Sequence, residues 1–115
     1  NEIKGKTHFV ALWATWCAPC LEKKPQLDSL KAAHAYNPDV AFVDLSLDED
    51  TEKWESFLAE HDPDGLQLIS QEVNETRRVL NISSLPLHFV VDPDGQYKAF
   101  TSLETGQKAF DQTIK

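Results

Sequence analysis

The sequence predicts an α/β fold, with a central mixed sheet and helices on both of its faces. Two observations support this prediction. Short apolar, β-prone runs alternate with segments of helical periodicity, in the order β-α-β-(α-β)-α-β-β-α. The last two strands are joined by an Asp-Pro-Asp-Gly turn at residues 92–95, which favours an antiparallel hairpin. No composition break, repeat or low-complexity segment interrupts the pattern, so we expect one domain over residues 1–115.

Composition fits a globular domain and restricts its partners. Hydrophobic residues make up 41% of the chain, which is enough to build a core. Eleven basic and nineteen acidic residues give a net charge of −8, which argues against nucleic acid and anionic membranes, since both bind basic surfaces. No apolar run approaches the roughly 20 residues that cross a bilayer. Because the chain contains no methionine, we expect it to be excised or matured from a longer chain.

The first half of the chain predicts two buried strands and two helices. Residues 7–13 form an apolar run suited to a strand, and a helix is expected to run on to about Tyr36, where Asn-Pro-Asp ends it. Residues 40–47 indicate a second strand with a parallel neighbour. An acidic stretch at 48–52 suits the first turn of a second helix. That helix spaces four side chains at i, i+3, i+4 and i+7: Trp54, Phe57, Leu58 and His61.

The second half predicts three further strands and two helices. An Asp-Pro-Asp-Gly turn at 62–65 precedes a short edge strand over 66–69, and a helix follows from about 71 to 80. Residues 87–91 and 97–101 are expected to pair as the antiparallel hairpin. A terminal helix is predicted from Leu103 onward.

The only two cysteines, Cys17 and Cys20, lie three positions apart in the sequence Trp-Cys-Ala-Pro-Cys. One such pair is not a disulfide scaffold, and no second pair of ligands at zinc spacing is present. The remaining interpretation of the two cysteines is a redox-active pair. The pair falls where the first strand meets the first helix, and a helix N-terminus stabilises a thiolate, which is the nucleophile of disulfide exchange. Pro19 fits the first helical turn, because its missing N–H would have no partner there.

Two separated motifs carry a family resemblance. Residues 13–20, Trp-Ala-Thr-Trp-Cys-Ala-Pro-Cys, with Pro25 five positions later, are similar to thioredoxin. Residues 83–95, in which Pro86 opens a strand that an Asp-Pro-Asp-Gly turn closes, resemble the second signature of that superfamily. The helix and strand between Leu47 and Gln71 resemble the insertion of TlpA/ResA-type thiol–disulfide oxidoreductases of the bacterial envelope. The resemblance implies a thioredoxin-like fold with an α-β insertion.

The resemblance also implies roles for individual residues. Cys17 would be the exposed attacking cysteine and Cys20 the resolving one. Pro86 would be a cis-proline facing the disulfide, and the Leu85 backbone would pair with an extended substrate segment; without the resemblance, Pro86 would be an ordinary proline at the start of a strand. The expected substrate-binding residues are Trp16, Ala18, Pro19, Leu85 and Pro86.

Two departures from the family concern proton transfer to the buried second thiol. Ala11 stands where thioredoxin has a buried carboxylate, and Lys23 stands where ResA-like proteins have a glutamate, with Glu22 just before it. Glu22 and Lys23 are candidates for the proton relay; a water, or no dedicated group, are the alternatives. Lys23 and Lys24 also add positive charge that favours a thiolate, whereas a solvated helix face is the simpler interpretation of residues 22–24.

Aromatic residues and histidines near these motifs have competing interpretations. Trp16 resembles the exposed tryptophan of the family's docking patch, whereas Trp13 and Trp54 are expected in the core. His88 lies two residues beyond Pro86 and therefore on the same face of its strand. It is a candidate third ligand or base beside the cysteines, and a hydrogen-bonded strand histidine is the alternative.

The expected function is thiol–disulfide exchange with protein partners, more as a reductant than as an oxidant. Cys17 attacks a partner disulfide, and Cys20 then attacks Cys17 and releases the reduced partner. The cysteine pair carries the electrons, so no organic or metal cofactor is implied. By resemblance, the domain is expected to be a soluble monomer in the periplasm or cell envelope, within a parent chain compatible with a membrane anchor. An upstream redox partner would supply its electrons.

Three other functions stay open at this stage. A copper-binding or copper-delivery module would use Cys17, Cys20 and His88 as soft ligands. A peroxide-reducing relative would need an arginine beside Thr15, and the only arginines, Arg77 and Arg78, lie far along the chain. The third alternative is a thioredoxin-like domain of a larger chain, in which the cysteine pair exchanges electrons with a fused partner domain.

Overall fold

A computed structural model describes residues 5–114, which form five strands and four helices. In chain order these are β1 (Thr7–Trp13), α1 (Ala18–Ala33), β2 (Val40–Ser46), α2 (Thr51–His61), β3 (Leu66–Ile69), α3 (Val73–Val79), β4 (Leu87–Val91), β5 (Tyr97–Phe100) and α4 (Leu103–Thr113). The predicted order of elements is confirmed.

The five strands form one mixed sheet in the order β3-β2-β1-β4-β5. β1 pairs in parallel with β2, and β2 with β3, whereas β4 runs antiparallel to both β1 and β5. The predicted mixed sheet is therefore confirmed, with β3 at one edge and the β4–β5 hairpin at the other. β1 is the middle strand and is paired on both sides, so the loop that leaves its carboxyl end starts from a strand held by two neighbours.

Two helix boundaries differ from the prediction. α1 ends at Ala33 rather than near Tyr36, because the N–H groups of His34 and Ala35 bond to carbonyls three residues back and close a tight turn. α3 covers only Val73–Val79 and has no side-chain cap, whereas a longer helix was expected. Both differences fall at helix ends, where propensity discriminates least.

Alternation along β1 divides the core between the two faces of the sheet. Phe9 and Ala11 face a cluster that includes Leu27 of α1 and Phe110 of α4. Leu12 lies in a second cluster on the opposite face, formed with Leu47, Ile82, Leu87 and Phe89. The sheet is thus covered on both faces, as the prediction required. No helix among residues 5–114 is long and apolar enough to cross a membrane.

A buried ion pair links α1 to β2. Lys31 and Asp44 are 4% and 1% exposed, and Lys31 Nζ lies 2.5 Å from Asp44 Oδ2. Gln67 donates to the same carboxylate oxygen at 2.8 Å, and Lys31 also donates to the Asp64 carbonyl at 2.8 Å. These hydrogen bonds offset the cost of burying both charges and hold α1 against β2 and β3.

Candidate functional site

The two cysteines occupy the junction between β1 and α1. Cys17 is the N-cap of α1, and its Sγ accepts a hydrogen bond from the Cys20 backbone N–H at 3.2 Å. Pro19 lies in the first turn, which contains no acidic residue. The positive end of the helix dipole therefore faces Cys17 without a competing carboxylate on that turn, which favours the thiolate form of Cys17 once the pair is reduced.

Cys17 and Cys20 form a disulfide, with their Cα atoms 5.3 Å apart. They are 4% and 5% exposed, and they pack in one cluster with Trp13 and Ala14. The expectation that Cys17 is exposed is therefore wrong for this disulfide state, because the cysteine cluster is packed against several partly buried hydrophobic side chains: Leu21, Trp54, Phe57 and Leu85. The two cysteines differ in position rather than exposure: Cys17 caps the helix, and Cys20 lies inside its first turn.

The candidate substrate-binding residues surround this disulfide. Trp16 is 62% exposed, and Ala18 and Pro19 are exposed on the first turn of α1. Leu85 and Pro86 are half-buried and precede β4, and the peptide bond between them is cis. The structure thus brings two distant segments of the sequence together around one sulfur pair. Of the other tryptophans, Trp13 is buried as expected, whereas Trp54 is only half-buried against the cysteine cluster.

Asp48 braces the loop that precedes the cysteines. The side chain is 2% exposed, and its carboxylate accepts the Thr15 backbone N–H at 3.0 Å and the Thr15 hydroxyl at 2.6 Å. The Ser46 hydroxyl donates a third hydrogen bond at 2.5 Å. The sequence predicts that the acidic stretch begins α2, and Asp50 does cap that helix: its side chain accepts hydrogen bonds from the N–H groups of Glu52 and Lys53. Asp48 is the second residue after β2, whose carboxyl end lies beside that of β1, and this adjacency is the missed signal.

The three charged residues at positions 22–24, which follow the cysteines, have different surroundings in the structure. Glu22 is exposed, and Lys23 ion-pairs with Glu104 of α4 at 2.9 Å. Lys24 turns inward: its Nζ lies 3.6 Å from the centroid of the Trp13 ring. That Nζ is buried, with no hydrogen-bond partner among residues 5–114. Burial lowers the pKa of Lys24, an effect that the negative charge of Asp44 opposes.

His88 lies behind the disulfide. It is 3% exposed, and its Nδ1 has no hydrogen-bond partner within the described part of the chain. Burial lowers the pKa of His88, although a hydrogen bond with the Phe100 backbone opposes that effect. A cavity of about 10 Å³ is lined by His88, Cys20, Lys24 and Pro86 among others. His88 therefore shares a cavity with the second cysteine of the pair.

A groove of about 850 Å³ lies beside Trp16, along α2 and the start of α3. Leu47, Phe57 and Val73 supply apolar lining, and carboxylates from residues 48–60 outnumber the two basic side chains. Thr15 and Arg77 both line this groove, but the Thr15 hydroxyl is already engaged with Asp48.

No group of three or more histidine, cysteine, aspartate or glutamate side chains between residues 5 and 114 is arranged to hold a metal ion. The copper alternative depends on such a third ligand joining Cys17 and Cys20.

Comparisons with known proteins agree with this geometry. A family model described as thioredoxin-like matches residues 5–97. The thiol-disulfide oxidoreductase ResA of Bacillus thuringiensis is 26% identical over 96 residues, covering 84% of this chain and 54% of that protein. The thioredoxin-like protein YneN of Bacillus subtilis is 29% identical over 97 residues, covering 83% and 55%. The chain thus spans about half the length of these curated relatives.

A solved structure shows the same fold. The thiol-disulfide oxidoreductase of Bacteroides fragilis superposes with a TM-score of 0.83 at 23% identity, covering 97% of this chain and 83% of that one. The overall fold described above therefore also occurs in a solved protein.

Proposed function

This chain belongs to the thioredoxin-like family, and from that premise we propose that it is a thiol–disulfide oxidoreductase acting on protein partners. One observation carries the proposal: the Cys17–Cys20 disulfide lies at the N-terminus of α1, where Cys17 Sγ accepts the Cys20 N–H. A sulfur at that position is stabilised as an anion, and a stabilised thiolate both attacks disulfides and leaves from them at neutral pH.

The two cysteines have different roles in the proposed reaction. In the reduced protein, the Cys17 thiolate attacks one sulfur of a partner disulfide and expels the other as a thiolate. Cys20 then attacks Cys17 Sγ, so that the Cys17–Cys20 disulfide forms and the second partner sulfur leaves as a thiolate. Two electrons pass from the cysteine pair to the partner. The pair itself carries the electrons, and we propose no other cofactor.

The partner is proposed to dock on the surface around Trp16. Ala18 and Pro19 are exposed beside the disulfide, and we propose that the backbone of half-buried Leu85, next to Pro86, pairs with an extended segment of the partner. The acidic groove that begins at Trp16 favours a partner whose flanking residues are basic. Because the chain has a net charge of −8, we expect association with such a partner to weaken as salt is added.

We further propose that the protein acts as a reductant outside the cytoplasm, as a monomeric domain in the periplasm or cell envelope. The α2–β3 unit supports this location, because that insertion is what the sequence shares with TlpA/ResA-type proteins. An upstream redox partner would return electrons to the disulfide after each turnover. The direction of the reaction depends on the reduction potential of the pair against its compartment.

The decisive experiment measures that potential and traps the intermediate. We expect Cys17–Cys20 to equilibrate with dithiothreitol or glutathione buffers at about −270 mV or below, as a reductant does. A value of about −180 mV or above would instead indicate an oxidant or isomerase. Cys20→Ser should accumulate a mixed disulfide through Cys17, and Cys17→Ser should accumulate none with a partner disulfide.

Failure of the wild-type pair to cycle would overturn the oxidoreductase assignment. Stoichiometric copper binding by the reduced protein would then favour a copper module, and peroxide turnover with a dithiol donor would favour a peroxide-reducing relative. Each of these outcomes is distinguishable from thiol–disulfide exchange by its substrate.

A further inference from the structure

Lys24 is directed towards the second cysteine by helix geometry alone. Cys20 and Lys24 are four residues apart in α1, so they lie on the same face of the helix. Helical side chains lean towards the helix N-terminus, which carries the Lys24 side chain back over the turn that holds Cys20. Its Nζ reaches the face of Trp13, which packs in the same cluster as both cysteines.

The Lys24 ammonium has no carboxylate of its own. Its Nζ is buried without a hydrogen-bond partner in the described chain. Asp44 of β2, whose negative charge acts on Lys24, is already paired with Lys31 and accepts a hydrogen bond from Gln67. Asp28, the other acidic group that acts on Lys24, lies four residues further along α1, one helical turn further from Cys20.

The two strands that line the cavity, β1 and β4, add no opposing charge beside Lys24. β1 presents Ala11, Leu12 and Trp13 to the cavity, none of which titrates at neutral pH. From β4, His88 faces the same cavity, and its lowered pKa keeps it neutral at neutral pH. Lys23 also lines the cavity, but its Nζ is paired with Glu104 of α4. Of the two lysines at the cavity, Lys24 is therefore the one whose Nζ has no hydrogen-bond partner in the described chain and could face an anion forming at Cys20.

The cavity between these groups has the volume of one water molecule. It measures about 10 Å³ and is lined by Cys20, Lys24 and His88. Two of its lining residues, Lys24 and His88, carry polar atoms with no hydrogen-bond partner among residues 5–114. A donor and a ring nitrogen beside a sulfur provide the two or three polar partners that a buried water requires.

We propose that Lys24 is the cationic partner of Cys20, stabilising the thiolate that Cys20 must become before it attacks Cys17, with one water bridging the two in the cavity. The inference rests on the proposed function and deepens it. In the mixed disulfide, the Cys20 thiol loses its proton to solvent through this cavity. The Cys20–Cys17 bond then forms, the bond from Cys17 to the partner sulfur breaks, and the departing thiolate takes up a proton from solvent.

The test isolates the Cys20 thiol from turnover. In a Cys17→Ser background, the rate of Cys20 alkylation by iodoacetamide is followed against pH, because only the thiolate reacts. Adding Lys24→Met, which keeps an unbranched chain over Trp13, should shift the profile to higher pH and slow alkylation at pH 7 by about tenfold. Lys24→Arg, which keeps the charge, should restore most of the rate. Lys108→Met, which removes one exposed charge from α4, should leave the profile unchanged.

Several outcomes would overturn the proposal. One is that Lys24→Met and its parent have the same pH profile of Cys20 alkylation. Another is that Glu22→Gln or Lys23→Gln shifts this profile while Lys24→Met does not. Far-UV circular dichroism and the urea midpoint verify that each variant is folded, and Lys24→Gln replaces the methionine variant if that one does not fold. Because Cys17 is absent, a shift would support the Lys24–Cys20 coupling even if the wild-type protein failed to reduce any partner.

Discussion

Asp48 holds Thr15 by two separate groups, although 33 residues separate them in the sequence. The carboxylate accepts the Thr15 backbone N–H at 3.0 Å and the Thr15 hydroxyl at 2.6 Å. Thr15 lies two residues before Cys17, so this contact fastens the cysteine loop to the end of β2. The loop is thereby positioned by the sheet rather than by its own conformational preferences.

Replacing Asp48 should therefore affect both stability and exchange. We expect Asp48→Asn to lower the free energy of unfolding by about 1–3 kcal/mol, because it removes a buried anionic acceptor from three donors. The rate of partner reduction should fall as well, since the cysteine loop loses its brace. Urea unfolding of the oxidised protein and a turnover assay measure the two effects. Thr15→Val removes only the hydroxyl bond, and a loss from it equal to that of Asp48→Asn would contradict this account.

Replacing one residue of the buried Lys31–Asp44 pair should lower the free energy of unfolding more than replacing both. Lys31→Met leaves the Asp44 carboxylate buried without its cation, at a cost of about 3–5 kcal/mol. The double variant Lys31→Met with Asp44→Leu removes both charges and should lose less than either single variant. Urea denaturation of four proteins, the wild type, both single variants and the double variant, completes the double-mutant cycle. Additive losses would show that the two side chains contribute independently.

Trp16 should contribute to docking and little to stability. The indole is 62% exposed, so Trp16→Ala should change the free energy of unfolding by no more than about 0.5 kcal/mol. The second-order rate constant for reduction of a protein disulfide should fall by about tenfold, as expected when a central aromatic contact is lost. Tyr36→Ala, at a 99% exposed aromatic residue beyond the far end of α1, is the matched control. Equal effects of the two substitutions would rule out a specific docking role for Trp16.

Acidic pH should weaken the contact between α1 and α4. The hydrogen bond from Lys23 lowers the pKa of Glu104 from 4.5 to about 2. A lowered carboxylate pKa contributes stability that is fully present above pH 4.5 and is lost as pH falls through the folded value of about 2. Because the group is exposed, the effect should be small and should decrease in 1 M salt. The difference in melting temperature between wild type and Glu104→Gln should therefore vanish towards pH 2; a difference that persists there would contradict the assignment.

His88 should make stability depend on pH nearer neutrality. Its pKa is lowered by burial from 6.5, so the unfolded chain takes up a proton before the folded protein does. Stability from this group is complete above pH 6.5 and decreases as the pH falls below that value. His88→Gln should flatten this part of the unfolding free energy profile between pH 7 and 5. A variant whose profile parallels that of the wild type would place the titration on another residue.

The helices and strands could be predicted from local sequence patterns, whereas the contacts of the buried charged residues could not. Strands such as Thr7–Trp13 and Leu66–Ile69 have the predicted bounds, because apolar runs between turn signals leave little choice. Lys31, Asp44 and Lys24 are charged residues that general preferences place in solvent. Their burial depends on partners that other elements supply, such as Asp44 for Lys31 and the Trp13 ring for Lys24. Such pairings are tertiary, so no local window of sequence contains them.

The same holds for the candidate site. Cys17, Cys20 and Trp16 were identified from one short motif, because adjacent residues share a loop. The brace from Asp48 was not, because it depends on β1 and β2 ending side by side. The prediction that Cys17 is exposed was wrong, and the side chains that pack against the cysteine cluster include Trp54, Phe57 and Leu85, which lie more than thirty positions away in the sequence.

The burial of Cys17 and Cys20 restricts the directions from which another sulfur can approach their disulfide. With 4% and 5% of the two cysteines exposed, a small thiol in the medium has little area on which to approach along the sulfur–sulfur axis. A partner that displaces the covering side chains and presents its own sulfur has that access. We therefore expect protein partners that dock beside the disulfide to exchange with it faster than small thiols of equal reducing strength.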